Sequence, residues 1–267
     1  MPNTKSPILK DFSDPVPFSA PIRTGDTATH DVYELGDSRK IVLLMQELPG
    51  IKQPTVDLAT YLAKEKGFRV VLPHLVGPIG KNRMIGNSYR VCISKEFHVW
   101  ANGKSSPIVD WLAALCEDLR ARHQVTGIAV IGMCLTGDFA ISLMANDAVL
   151  AAYASQPSMP FFSKGKRLPF SPEEVEEIKD GLSAKGPMKC ARFDNDRICT
   201  AGKFVALDRI FNEGEKRIDM EEIEGVGFTQ HSIITKDYNG NDPNHPTYKK
   251  LHEVIGYFDK ALSAVEG

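Results

Sequence analysis

What most constrains this chain is an alternation of short continuous apolar runs, each closed by turn residues, with stretches of helical spacing between them. Ile41-Val42-Leu43-Leu44-Met45 stops at Gln46-Glu47-Leu48-Pro49-Gly50, and Gly127-Ile128-Ala129-Val130-Ile131-Gly132 runs on towards a small-residue segment. Such runs fit strands covered on both faces. Residues 30–35, 68–72, 149–154, 188–193 and 218–223 read as further strands. Residues 55–66 read as an amphipathic helix, and residues 107–123 place Ile108, Trp111, Leu112, Leu115 and Leu119 on one helical stripe. Helices are also expected at 138–146, 171–182, 201–212 and 248–265, with Ser171 and Glu174 matching a capping box. Strands separated by helices build βαβ units. The expectation is therefore one α/β domain over residues 30–267, a doubly wound, mostly parallel sheet with helices on both faces. Residues 1–29, rich in Pro, Ser, Asp and Thr, read as a surface arm. Two long connections, 76–106 and 156–187, read as cover loops over one rim.

Composition narrows the function class. Lys plus Arg is 32 and Asp plus Glu is 34, a formal charge of −2, so the chain carries no electrostatic footprint for nucleic acid. No apolar run approaches the roughly 18 residues of a membrane span. No apolar segment follows the N-terminal Met-Pro-Asn-Thr-Lys-Ser, so no secretory leader is expected and the expected location is cytoplasmic. The five cysteines, Cys92, Cys116, Cys134, Cys190 and Cys199, are odd in number, irregularly spaced and nowhere in CxxC spacing. They read as reduced thiols, with no zinc site, other metal or cofactor implied. A small molecule is the expected partner, and oligomeric state is not legible.

Ligands in open α/β sheets sit at the carboxyl ends of strands. There the sequence reads Gly132-Met133-Cys134-Leu135-Thr136-Gly137-Asp138, with a helix following. This is the strand–nucleophile–helix pattern of an elbow, with cysteine as nucleophile. The two glycines leave room where a sharp turn crowds out neighbouring Cβ atoms. The bland reading of Cys134 is a core thiol at a strand end; its placement between strand and helix favours the nucleophile.

A thiol near neutral pH needs a base. The histidines downstream of the elbow are His231, His245 and His252. His252 falls within the terminal helix and His245 in a loop with no strand before it, whereas His231 follows a strand and the turn Gly225-Val226-Gly227. His231 is the candidate base. Asp194 and Asp196 both follow the strand at 188–193, and either can orient His231. Asp208 lies inside the next helix and is less suitable. In a hydrolase built this way the loop after the first long strand gives one oxyanion N–H and the residue after the nucleophile gives the other, here Leu48 and Leu135. Glu47, a carboxylate at the end of a buried strand, is costly there unless paired.

Together these residues resemble the dienelactone hydrolase family. The likeness is carried by Gln46-Glu47-Leu48-Pro49-Gly50, Gly132-Met133-Cys134-Leu135-Thr136-Gly137, Asp196 with Cys199, and Gln230-His231-Ser232, within roughly residues 30–265. The resemblance implies an α/β-hydrolase fold and a Cys134–Asp196–His231 triad cleaving small esters or lactones, as in carboxymethylenebutenolidase. It also implies that the resting thiol turns towards Glu47, which helps form the thiolate, and it favours Asp196 over Asp194.

Three positions depart from the family pattern. Thr136 stands where the elbow usually has a second glycine, so a tilted or strained turn is expected. Gln230 precedes the histidine in place of glycine. Ser232-Ile233-Ile234-Thr235-Lys236 lacks the arginine that binds substrate carboxylate in the prototype enzymes. Arg83, Arg90 or Lys236 are the candidates to supply that charge, and Tyr89, Phe97 and Trp100 are candidates to roof the pocket. Thr136 and the missing arginine also leave room for two other readings. One is a non-hydrolytic small-molecule-binding protein of the same fold. The other is a thioesterase or acyltransferase using the same triad.

Overall fold

The computed structural model describes residues 6–80, 106–158 and 168–263. An eight-stranded sheet runs through it, formed by β1 (Val16–Pro21), β2 (Thr27–Leu35), β3 (Ile41–Leu44), β4 (Arg69–Pro73), β5 (Ile128–Met133), β6 (Val149–Ser155), β7 (Met188–Phe193) and β8 (Ile218–Ile223). Their order across the sheet is β1-β2-β4-β3-β5-β6-β7-β8. The first two strands pair antiparallel, and β4-β3-β5-β6-β7-β8 are parallel throughout. The helices are α1 (Gln53–Lys64), α2 (Pro107–Arg122), α3 (Leu135–Leu143), α4 (Pro172–Lys185), α5 (Ala201–Phe211) and α6 (Pro246–Ser263).

The pleat sorts each central strand between two cores. Ile41, Leu43, Ile128 and Val130 pack with Trp111, Leu112 and Leu115 of α2, Phe139 of α3, Ile178 of α4 and Leu207 of α5. Val42, Leu44, Ala129 and Ile131 pack on the opposite face with Leu58 and Leu62 of α1 and Val254 and Phe258 of α6. Both faces are covered, which is why these strands read as unbroken apolar runs.

Residues expected as an arm are instead part of the sheet. Val16 to Pro21 form the edge strand, with Trp111 Nε1 donating to the Phe18 carbonyl at 3.0 Å. Only Ala20 of β1 is buried, so the strand carries no apolar pattern to betray it. The second long connection is a cover loop only in part, because α4 occupies Pro172–Lys185, opened by the capping box on Ser171 and Glu174. The segment 81–105 of the first connection lies outside the described residues, and with it Arg83, Tyr89, Arg90, Cys92, Phe97 and Trp100.

The chain runs from β3 outwards to β4 and then returns past β3 to β5, so the strand order reverses between β3 and β5. This switch point opens a crevice at the carboxyl ends of the two strands. Glu47 follows β3 and Cys134 follows β5, so the topology brings the two loops together.

Candidate active site

Cys134 sits between the last residue of β5 and the first of α3, with φ 57° and ψ −121°. A non-glycine residue in the left-handed region of φ is costly and marks a constrained turn. The surroundings enforce it. A Cβ on Gly132 would lie 2.0 Å from the Thr136 carbonyl oxygen, and one on Gly137 would lie 2.8 Å from Pro157 Cα. The Cys134 N–H donates to Ser155 O at 3.0 Å, and the Cys134 carbonyl accepts from the N–H groups of Gly137 and Ser158, each at 3.0 Å. The thiol is half-buried, and its sulphur accepts from Ser158 Oγ at 3.3 Å.

Thr136, expected to tilt or strain the turn, is hydrogen-bonded into it. Its side chain is buried and its hydroxyl fills the elbow, accepting from Met133 N–H at 2.8 Å. The hydroxyl is also within donating distance of the carbonyls of Met133 at 3.0 Å and Gln46 at 3.1 Å. A hydroxyl can do both because it is donor and acceptor at once.

Asp196 and His231 meet across the loops after β7 and β8: His231 Nδ1 lies 2.7 Å from Asp196 Oδ2. The other carboxylate oxygen of Asp196 accepts the N–H groups of Ile198 at 2.7 Å and Cys199 at 3.0 Å, so the group is fully engaged. Asp194 is turned away, accepting Gly225 N–H at 2.9 Å in a turn. Beneath this loop the buried Arg192 donates to the carbonyls of Cys199 at 2.8 Å and Asp194 at 3.1 Å. On the histidine side, Asp237 accepts the N–H groups of both His231 and Ser232 at 3.0 Å.

Burial alone would lower the His231 pKa. The bond to Asp196 and the nearby Cys134 more than offset it, and the ring is pushed up to about 10. Its Nε2 is buried and makes no hydrogen bond of ordinary geometry, with the Cys134 sulphur as the near group acting on it. The other downstream histidines serve packing: His252 stacks on Tyr248 at 3.9 Å between ring centroids, and His245 pairs with Thr247.

Glu47 is placed beside this group but not on the thiol. Its Oε1 accepts from Gln156 Nε2 at 2.8 Å and Thr235 Oγ1 at 2.9 Å, and its Oε2 from Ser232 Oγ at 3.1 Å. Burial pushes its carboxyl pKa up, against the two hydroxyls and His231, which pull it down. The partner of the sulphur is Ser158, contrary to the expected turn of the thiol towards Glu47. Thr235 is one of the residues standing where an arginine was looked for, and the groups bonded to the carboxylate are uncharged.

Leu135 opens α3, where the first N–H groups lack intrahelical acceptors. Neither its N–H nor that of Leu48 donates to a backbone carbonyl among the described residues. Ser158, Gln156, Ser232 and Arg192 were not singled out from sequence. Polar residues after a strand or within one carry no periodic signal, and only the neighbours they meet give them a role. Cys116, Cys190 and Cys199 are buried, and burial raises each thiol pKa. Among the described residues no cluster of His, Cys, Asp and Glu could hold a metal ion. Among them, too, no helix is long and apolar enough to cross a membrane.

Against known proteins, the dienelactone hydrolase family matches residues 32–229, a span that includes Glu47, Cys134 and Asp196 and ends just before His231. No curated protein matches. Among solved structures, a Klebsiella pneumoniae protein described as a dienelactone hydrolase is 15% identical with a TM-score of 0.60, covering 93% of this chain and 100% of its own. A dienelactone hydrolase-like promiscuous phosphotriesterase from metagenomic libraries is 14% identical with a TM-score of 0.60, covering 93% of this chain and 99% of its own. Carboxyl esterase 2 of the mycorrhizal fungus Tuber melanosporum is 14% identical with a TM-score of 0.55, covering 98% and 90%. At these identities the likeness establishes the α/β-hydrolase fold.

Proposed function

The chain belongs to the dienelactone hydrolase family of ester-cleaving hydrolases, and from that premise we propose that it hydrolyses small carboxylic esters or lactones through Cys134, His231 and Asp196. The observation that carries this reading is the 2.7 Å contact between His231 and Asp196, with the buried Nε2 of the same ring left to the side of Cys134.

In this mechanism the proton shared by Cys134 and His231 rests on the imidazole, whose pKa is pushed up to about 10, and the sulphur attacks the carbonyl carbon as the thiolate. The N–H groups of Leu48 and Leu135 take the developing oxyanion, each worth roughly 3–4 kcal/mol in comparable sites. The imidazolium, held in orientation by Asp196, protonates the leaving alkoxide, and neutral His231 then draws a proton from water to release the acyl group. Ser158 steadies the sulphur before attack. Glu47 accepts from the Ser232 and Thr235 hydroxyls and holds that segment in place. A cytoplasmic setting, with reduced thiols, suits a cysteine nucleophile.

The missing arginine bears on substrate choice. Among the described residues the donors to Glu47 are uncharged, and on that ground the reading favours neutral esters and lactones over substrates that need a buried cation for a carboxylate. The test is hydrolysis of a panel of p-nitrophenyl esters and small lactones by the parent protein and by Cys134→Ala. Turnover by the parent and none by the variant supports the assignment. Equal turnover by both would remove Cys134 from the mechanism. Rapid, selective alkylation of Cys134 at pH 6 with no turnover of any ester would favour the thioester or acyl-transfer reading instead.

A further inference from the structure

We propose that the Thr136 hydroxyl is a positioning residue that clamps the loop carrying the Leu48 N–H to the nucleophile elbow, setting the width of the oxyanion site; this rests on the hydrolase reading above. The two oxyanion donors belong to separate loops, one after β3 and one after β5, so their spacing is set by whatever joins those loops. Thr136 joins them. Its Oγ1 accepts the Met133 N–H at 2.8 Å on the elbow side and reaches the Gln46 carbonyl at 3.1 Å on the other. The Met45 carbonyl lies 3.5 Å from the same oxygen, so the hydroxyl faces the whole exit of β3.

The remaining contacts of Gln46 hold the far side of that loop. Its side-chain Nε2 donates to Val76 O at 2.7 Å and its Oε1 accepts Leu75 N–H at 3.2 Å. Gln46 is thus fixed to the segment after β4 by its side chain and to the elbow through its own carbonyl. Leu48 follows two residues later. A glycine at position 136 has no group to make this link, so the clamp is a property of this chain's threonine.

The clamp acts through position and not through contact with substrate. Misplacing a donor by about 1 Å can cost on the order of a hundredfold in rate. Thr136→Val keeps the shape of the side chain and removes the hydroxyl. Its expected kcat is about ten- to a hundredfold below the parent, with KM within about threefold, because the donor matters most to the oxyanion. Thr136→Ser restores the hydroxyl and is expected within about threefold of the parent. Alkylation of Cys134 by iodoacetamide, which makes no oxyanion, is expected to stay within about threefold in all variants.

Parent-like kcat in Thr136→Val, a serine variant as slow as the valine one, or alkylation falling in step with kcat would each overturn the clamp. If the valine variant fails to fold, Thr136→Ala is read against Thr136→Ser by the same criteria. Parent-like turnover by Thr136→Val removes the clamp and leaves the hydrolase reading standing. A parent that cleaves no ester or lactone, or is matched by Cys134→Ala, removes both.

Discussion

Asp196 and His231 stand 35 residues apart in the chain and meet at 2.7 Å, and each is locked by further bonds to its own loop. Asp196 is held by the N–H groups of Ile198 and Cys199, and the His231 backbone by Asp237. The imidazole therefore has one ring nitrogen committed and the other left to the side of the Cys134 sulphur. Asp196→Asn keeps the shape but offers the wrong tautomer, and a loss on the order of 10³-fold or more in kcat is expected. Steady-state kinetics with a p-nitrophenyl ester measures it, and a loss under tenfold would place the acid elsewhere.

The raised pKa of His231 gives a stability prediction with a definite sign. A group whose pKa is higher folded than unfolded stabilises the fold below its ordinary value of 6.5, and that contribution is lost as pH rises through about 10. The Tm difference between the parent and His231→Gln is expected to be largest below pH 6.5 and to shrink towards pH 10. Nuclear magnetic resonance titration of the ring should give a midpoint near 10 in the parent, falling in Asp196→Asn.

Glu47 has the same sign with pH, but its removal is expected to stabilise the fold. Burial raises its carboxyl pKa, so the folded state loses stability as pH rises and the carboxylate forms. Glu47→Gln keeps an acceptor for Gln156 and Thr235 and has an N–H to offer Ser232. It is expected to raise Tm by a few degrees at pH 8 and by less at pH 5, read by differential scanning calorimetry. A lower Tm at pH 8 would show that the carboxylate charge is needed by the fold.

Ser158 donates to the Cys134 sulphur at 3.3 Å, and a hydrogen bond of this sort favours the anionic sulphur. Ser158→Ala is expected to slow iodoacetamide alkylation of Cys134 at pH 6 by about tenfold, the effect of roughly 1.5 kcal/mol. Mass spectrometry of the labelled peptide against time separates Cys134 from the buried thiols. An unchanged rate would reduce Ser158 to a packing role.

The elbow helix has a buried ionic anchor. Both carboxylate oxygens of Asp138, on α3, accept from Lys203 Nζ, on α5, and neither residue is exposed. Burial raises the Asp138 pKa and Lys203 opposes the rise. Lys203→Met leaves the carboxylate unpaired and is expected to cost about 3–5 kcal/mol of folding free energy by urea denaturation. The double variant Asp138→Leu with Lys203→Met is expected to recover most of that loss. Equal losses in single and double variants would mean that the stems, and not the charges, carry the effect.

Periodicity and spacing alone determined a good part of this protein. The strand at 188–193 and the Cys134 elbow were legible because burial on both faces and sharp turns leave local marks in composition. β1 left no such mark, since an edge strand with one buried residue has no pattern, and its place in the sheet is set by the antiparallel ladder with β2 and the Trp111 contact. The choice between Asp194 and Asp196 was also beyond spacing, because both follow the same strand and only the packing of two distant loops brings one to His231. Thr136 is the plainest case. From sequence it was a missing glycine and a source of strain, whereas the fold supplies a donor and carbonyl acceptors at hydrogen-bond distance from its hydroxyl. Local sequence sets which backbone shapes are cheap; the partners of a buried polar group are fixed only when remote segments have packed around it.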